Sequence, residues 1–332
     1  MVRIKLSFFF VFICCCHLSL FAQRENLPSS THRDTVHLNN QWQFLTDKQS
    51  EGFKREWYVG VLPNARTVSI PHTWNIEDSN QTYYGWAWYQ KKINVPATYK
   101  NKQTVIEFGA INHTAHIYLN GIKVAENIGD GFSKFKIDLT GKLKIGAENV
   151  LTIAVNNDYG KNKVPFGSSF DWPNDGGLIR KVKMIVTHLV APQAIYVTPI
   201  LHKDSSAIVK IRLPFNKAIL EKKYAGLKGK LKLNIQIAPE LDQYKRINHQ
   251  PNLTLHELAR KQMVGDLVTP EWDGVNAYAT VKIPKVMPWH IDFPNLYFVG
   301  IFVTTDSELI DVIGTTVGFR TVEFINGQTH LN

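Results

Sequence analysis

Asp171 and Asp175 flank Trp172-Pro173, and Asp158 and Tyr159 lie a short way upstream. Two carboxyl groups can share the work of cleaving an acetal, one donating a proton while the other attacks or activates water. That chemistry needs them roughly 5 Å apart, one with a raised pKa. Asp171 and Asp175 are the best candidates in the chain, yet a loop carboxylate lacks an obvious apolar wall to raise its pKa. Asx turns account for aspartates in such a loop. The expectation is binding or loop structure, and no residue is assigned a catalytic role. The sequence holds no His/Cys/Asp/Glu cluster at metal-ligand spacing, no Gly-x-Ser-x-Gly elbow and no phosphate-cradling loop, so neither a metal nor a cofactor is expected. The twelve histidines do not group, and His32 and His72 read as surface or capping residues.

Aromatic side chains are the other chemical resource. An exposed ring stacks on the flat face of a sugar, and Trp172, in its loop, is the best exposed candidate. Tyr84, Trp86 and Trp88 share one face of an alternating run, with Tyr83, Gly85, Ala87 and Tyr89 on the other. Large aromatics are mostly buried, so this run is expected to be core before it is a platform. Asn80, Asn112 and Asn252 each begin an N-x-Thr sequon, which matters only in a host that glycosylates exported proteins.

The elements that must hold these residues alternate with period two. Val182, Met184 and Val186 alternate with Lys181 and Lys183, and Val209, Ile211 and Leu213 with Lys210 and Arg212. The same pattern runs through 135–139, 231–237 and 279–283. Short runs of this kind, bounded by Gly, Pro, Asn or Asp, predict packed antiparallel sheets. Asn120-Gly121, between Ala115-x-Ile117-x-Leu119 and Ile122-x-Val124, predicts a type I′ hairpin. Residues 255–262 are the best helix candidate. A linker falls near 190–199, where Pro192 and Pro199 flank Ile195 and Val197.

Arg3 and Lys5 precede the apolar run 6–20, and Ala22 precedes Gln23, which predicts a signal peptide over residues 1–22 and export to periplasm or medium. A membrane anchor and a lipoprotein fit less well. Polar sequence begins at once at Gln23, and no small residue stands just before Cys14, Cys15 or Cys16. No membrane association is expected once the signal is removed. All three cysteines lie in this segment, so the mature chain must hold itself together by burial alone. The formal net charge of +10 is scattered. In its densest patch, Lys222 to Lys232, Lys230 and Lys232 alternate with Leu231 and Leu233 like the wet side of a strand, and nucleic acid is not an expected partner.

Several segments, in order, resemble glycoside hydrolase family 2, the β-galactosidase and β-glucuronidase group. They are Leu38 to Phe44, Ile70 to Asn75, Tyr83 to Pro96, Phe108 to Asn157 with its Leu-Asn-Gly hairpin, and Asp171 to Val182 with its Gly-Gly-aliphatic-aliphatic-Arg strand. Pro288 to Val303 and Val317 to Phe324 resemble the sandwich that follows in that family. The resemblance implies an all-β chain: a jelly-roll-like, galactose-binding-like β-sandwich over 23–190, then an immunoglobulin-like β-sandwich over 191–324. Residues 325–332 read as a lead-in to the family's catalytic (β/α)8 barrel, which the sequence does not include.

The resemblance also implies roles. Asp171 stands where the family's first domain contacts the terminal sugar. Asn75 is the nearest match to a second contact, with Asp78 and Asn80 as rivals. A carboxylate and an amide suit sugar hydroxyls because between them they accept and donate. The implied function is a non-catalytic portion that shapes the sugar pocket, with a β-galactoside-like carbohydrate as ligand and a separately encoded barrel as partner. The alternatives are a free carbohydrate-binding module and a structural or interaction β-sandwich. The first reading predicts an exposed apolar surface where a barrel would dock.

Overall fold

The structure is a computed structural model that describes residues 33–160, 167, 172–222, 225–240 and 264–332. The chain forms two units. One comprises Asp34–Thr187, and the other comprises His188–Asn332 together with Arg33.

The strands of the first sandwich are β1 (Arg33–His37), β2 (Trp42–Thr46), β3 (Arg66–Val68), β4 (Trp86–Val95), β5 (Lys102–Phe108), β6 (Thr114–Leu119), β7 (Ile122–Asn127), β8 (Phe135–Asp138), β9 (Ala147–Asn156) and β10 (Val182–His188). One sheet runs β3-β2-β4-β9-β6-β7 and the other β1-β10-β5-β8. Alternation sends Trp42, Phe44, Tyr89, Ile93, Ile117 and Ile153 from the first sheet, and Ile106, Phe108, Val182 and Met184 from the second, into one core. Fully burying each aliphatic side chain stabilises by about 1.5–3 kcal/mol. The hairpin forms as its turn residues predict: Asn120 and Gly121 both take positive φ, and Leu119 pairs with Ile122.

The face of β4 opposite this core is also covered. Trp88 is fully buried against Leu62, Tyr118, Phe53 and Trp57, which belong to a separate small cluster. Backbone of the 51–62 segment lies directly on the indole, since a Cβ at Gly52 would come within 2.4 Å of Trp88 Nε1. That nitrogen donates to Asp47 Oδ2 at 3.2 Å. Trp88 is therefore core, as expected, and Trp86 is partly buried against the same cluster, while Tyr84 precedes the strand and is also partly exposed.

The second unit carries β11 (Tyr196–Leu201), β12 (Ala207–Pro214), β13 (Lys232–Pro239), β14 (Val264–Val268), β15 (Glu271–Asp273), β16 (Asn276–Ile283), β17 (Tyr297–Thr304) and β18 (Leu309–Val317). Sheets β11-β12-β16-β15 and β14-β13-β17-β18 enclose Val209, Ile211, Leu233, Ile235, Val281 and Ile301. A hairpin of β19 (Val322–Ile325) and β20 (Gln328–Leu331) follows. Both units are antiparallel β-sandwiches, as the alternation predicts.

Two local expectations meet a different outcome, and a third lies outside the described residues. A short helix, α1 (Lys217–Lys222), and a 3-10 turn (Ala225–Lys230) precede β13, so Lys228 and Lys230 sit on a turn and the strand itself starts at Lys232, although Leu231 is already fully buried beside the exposed Lys230. His72 is no surface residue. Its side chain is only 9% exposed, its Nδ1 lies 2.7 Å from Tyr89 Oη, and its Nε2 lies 3.0 Å from Glu77. Residues 255–262 and His32 lie outside the described residues.

Arg33 donates Nε and Nη2 to the fully buried Asp311 at 2.6–3.0 Å, and Nη2 also donates to Pro192 O at 2.7 Å. Burial pushes the Asp311 carboxyl up to about 6, against the opposing pull of Arg33.

Candidate functional site

Four asparagine side chains are buried at one end of the first sandwich: Asn75, Asn112, Asn157 and Asn174. A buried amide favours partners for its oxygen and its NH2 group, and these find one another or nearby backbone, apart from Asn112 Oδ1, which has no partner among the described residues. Asn157 is the hub. Its Nδ2 donates to Asn75 Oδ1 at 3.0 Å and to Asn174 O at 2.8 Å, and its Oδ1 accepts from Gly85 N at 3.0 Å. Asn174 Nδ2 returns a bond to Asn157 O at 2.5 Å, and Asn112 Nδ2 donates to Asn174 Oδ1 at 3.0 Å and to Asp175 O at 2.6 Å. Asn75 Oδ1 accepts a second bond, from Gly176 N at 2.8 Å, while its Nδ2 donates to Tyr83 O at 2.9 Å. The network ties together the 3-10 turn Trp74–Ile76, the entry to β4, the exit of β9 and the 172–177 segment.

The glycine pair closes the same place. A Cβ on Gly176 would lie 2.1 Å from Trp74 Cζ2 and 2.7 Å from Asn157 Cβ. Trp74 is fully buried and donates Nε1 to Tyr83 O at 3.2 Å, so the ring cannot yield. Gly176→Ala is expected to cost roughly 1–3 kcal/mol through overpacking. An unchanged urea midpoint would show that Trp74 accommodates the methyl group.

Asn75, Asn157 and Asn174 have exposed or half-buried residues beside them or at their bonded partners, whereas Asn112 lies between the buried Ile111 and His113. Ile76 is exposed beside Asn75, Tyr84 precedes Gly85, Asp158 and Tyr159 follow Asn157, and Asp175 follows Asn174. Trp172 is 46% exposed two residues before Asn174. The rings of Tyr84 and Tyr159 meet at 4.9 Å between centroids and 37° between planes. A hydrogen bond to Tyr159, with burial and the charge of Asp175 behind it, pushes the Tyr84 phenol up to about 12. Asp175 is half-buried, and burial raises its carboxyl above the usual range. Among the described residues, no donor or cation bonds that carboxylate. The loop thus desolvates this carboxyl in part, which residue types alone did not reveal.

Asp171 lies outside the described residues. Asn75 is placed at the site, but inside it: the amide is only 7% exposed, and its donor and acceptor capacity is met by the chain. Asn80 is buried as well and donates to Glu77 Oε2 at 2.9 Å, whereas Asp78 is exposed. Burial would raise Glu77, but hydrogen bonds from His72, Arg66 and Asn80 outweigh it and hold the carboxyl below its usual range. Asp175 was legible as a candidate acid beside Asp171, Tyr84 was expected in the core with Trp86 and Trp88, and Tyr159 was legible only as a neighbour of Asp158. The signal that could have flagged them is their position next to Asn and Gly.

The second unit carries a different surface. Phe324 (80% exposed), Ile291 (73%), Phe293, Met287, Val322 and Ile325 are large apolar side chains left open. Asn332 Nδ2 donates to Trp289 O and Trp289 N donates to Phe319 O, each at 2.7 Å, which ties the strand hairpin to the 287–293 segment. Beside them, Pro199, Trp289, Leu296, Gly318 and Arg320 line an open cavity of about 400 Å³, with the Arg320 guanidinium 4.9 Å from the centroid of the Trp289 ring.

Residues 36–185 match the glycosyl hydrolases family 2 sugar-binding domain, and residues 187–320 match a second domain of glycosyl hydrolases family 2. A β-galactosidase of Thermoanaerobacter pseudethanolicus is 25% identical over 90% of this chain, and a β-glucuronidase of Formosa agariphila 23% identical over 90%. The chain spans 37% and 32% of those relatives. Among solved structures, a β-glucuronidase of an uncultured Clostridium sp. superposes with a TM-score of 0.71 at 23% identity, over 94% of this chain and 49% of its own. The β-glucuronidase of Ruminococcus gnavus in complex with D-glucuronic acid gives 0.70 at 21%, over 95% of this chain and 50% of its own. The ordered segments of the sequence, the two sandwiches they fold into and the two consecutive domain matches agree: this chain belongs to glycoside hydrolase family 2.

Proposed function

We propose that the chain is a non-catalytic portion of an exported family 2 glycosidase, one that shapes and contacts the sugar pocket while a catalytic (β/α)8 barrel performs hydrolysis. The observation that carries this reading is the buried asparagine network, which holds Trp172, Tyr84, Tyr159 and Asp175 at one loop end. A recognition site gains most from groups fixed before the ligand arrives, because ordering them afterwards costs affinity. Stacking faces, phenol hydroxyls and a carboxylate together match a sugar ring, which has an apolar face and a rim of hydroxyls. Asp171 adds a second carboxylate contact in this reading. Asn75 acts one step back, by fixing the backbone that presents the others.

The apolar surface of the second unit supports a polypeptide partner over a free carbohydrate-binding module. Six large apolar side chains on two tied segments exceed the singly scattered exposure that is normal for a monomer. Export follows from residues 1–22 read as a signal peptide.

The test is binding and turnover by the purified chain. Saturation-transfer NMR is expected to show contact with methyl β-D-galactopyranoside, weakened about tenfold in Trp172→Ala by loss of ring stacking. Nitrophenyl β-galactoside and β-glucuronide are expected to remain intact. Turnover abolished by Asp171→Asn would overturn the non-catalytic assignment, and absence of any sugar contact would overturn the binding role.

A further inference from the structure

Asn-Gly occurs twice in the chain, at Asn120-Gly121 and at Asn326-Gly327. Each pair forms the two-residue loop of a hairpin, and all four residues take positive φ. We propose that Asn326 is a site of spontaneous deamidation, where the main chain converts the side-chain amide to isoaspartate and aspartate, and that the fold protects Asn120 from the same reaction. The inference does not rest on the sugar-binding reading.

The reaction needs only the dipeptide and water. The Gly327 nitrogen loses its proton and bonds to Asn326 Cγ. The Cγ–Nδ2 bond breaks, and ammonia leaves with that proton. The product is a cyclic imide, and nothing is oxidised or reduced. Water then opens the imide at one of its two carbonyls. Opening at the main-chain carbonyl leaves the chain running through Cγ, as isoaspartate, and opening at the side-chain carbonyl gives aspartate. Glycine favours the attack because no Cβ crowds its nitrogen. Ring closure requires the asparagine side chain and the following peptide to rotate toward each other, so an ordered turn reacts through local opening.

At Asn120 that rotation is resisted. Its Oδ1 accepts from Val150 N and its Nδ2 donates to Asn149 Oδ1, each at 2.9 Å. A Cβ on Gly121 would meet Val59 Cα at 3.4 Å, so the 51–62 segment lies against the turn. The flanking strands, β6 and β7, belong to a six-stranded sheet. Asn326 has none of this support. Among the described residues no hydrogen bond holds its side chain, and a Cβ on Gly327 would meet nothing within 4 Å. β19 and β20 form a sheet of only two strands, and residues 322–330 are exposed apart from none. The bonds that tie this hairpin down, from Asn332 N to Thr321 O and from Asn332 Nδ2 to Trp289 O, lie at its open end, away from the turn. A two-stranded hairpin is marginal by itself, so its tip opens at little cost. Isoaspartate adds a methylene to the main chain of a two-residue loop, which disturbs the Ile325–Gln328 pairing, and either product sets a negative charge beside the exposed Phe324 and Ile325.

The experiment incubates the full chain in warm, mildly alkaline buffer, folded and in urea. Both Asn-Gly pairs are followed over time by peptide mapping with mass spectrometry that resolves isoaspartate from aspartate. In the folded chain, conversion at Asn326 is expected to be at least about tenfold faster than at Asn120, the ratio that about 1.4 kcal/mol of extra opening free energy at Asn120 produces. In urea the two rates are expected to come within about twofold of each other, because the dipeptide is the same and the structure that separates them is gone. Isoaspartate among the products at Asn326 marks the imide route. Equal rates in the folded chain overturn the proposal, as does an Asn326 that stays intact when folded while the unfolded chain converts there, or a product that is aspartate alone. A gap that persists in urea would place the cause in the flanking sequence and overturn the protection given to the fold. The unaltered chain supplies every arm, so no variant has to fold for the test to decide.

Discussion

Replacing Arg33 with alanine is expected to destabilise the chain by about 3–5 kcal/mol at pH 7.5, the cost of leaving a buried charge without its partner. Asp311 is fully buried, and Arg33 is bonded to both of its oxygens. Burial already outweighs the cation, because the carboxyl stands at about 6 with Arg33 in place. A raised folded pKa means the folded state holds its proton over a range where the unfolded chain has lost it. The stabilising contribution is therefore complete below the ordinary aspartate range and is lost as pH climbs through about 6. Without Arg33 the folded pKa rises further, so that window extends upward. The loss from Arg33→Ala should thus shrink markedly at pH 5, where Asp311 takes up a proton. Urea denaturation at the two pH values measures this directly, and equal losses at both would rule out an ionised Asp311 as the cause. Removing both charges with Arg33→Met and Asp311→Asn is expected to recover most of the stability.

The second large effect is expected at Asn157. Alanine there removes the donor to Asn75 Oδ1 and Asn174 O and the acceptor for Gly85 N, all within 3.0 Å. Each buried group left unpaired costs about 1–3 kcal/mol, and relaxation or water entry recovers part of it, so a net loss of about 4 kcal/mol is expected. The effect should extend to recognition, because Tyr84, Tyr159 and Asp175 are presented by the backbone this residue holds. Asn157→Asp separates the two consequences. It keeps the acceptor for Gly85 N but turns two donor bonds into repulsions, and it should be at least as damaging as alanine. Thermal melts with matched sugar titrations check the pair. A full-stability Asn157→Ala would mean that the network follows the fold without supporting it.

The sheets were legible because they depend on near neighbours. Val209, Ile211 and Leu213 declare a half-buried strand within five residues, and Asn120-Gly121 declares its turn within two. The family followed from segments that keep their order. The site was less legible, because its decisive contacts join residues far apart in the chain. Asn75 and Asn157 are 82 positions apart, and Asn75 and Gly176 are 101 apart. An isolated asparagine in a loop looks the same whether it faces a ligand, caps a turn or is bonded to other buried amides. The raised carboxyl of Asp175 escaped notice for the same reason, since its partial burial is not written in its neighbours in sequence. The cover over Trp88 was invisible because residues 51–62 have no periodicity to read.

The asparagine frame has one more property, which follows from its chemistry. Carboxamides neither gain nor lose a proton where Asp, Glu and His titrate, so no link in the frame switches with acidity. A frame built from salt bridges would tighten and slacken with the medium. Here the scaffold is blind to pH, while the carboxylate of Asp175 that it presents is not. Any acid response of sugar binding should then reside in the contact itself, with the geometry of the loop end unchanged beneath it.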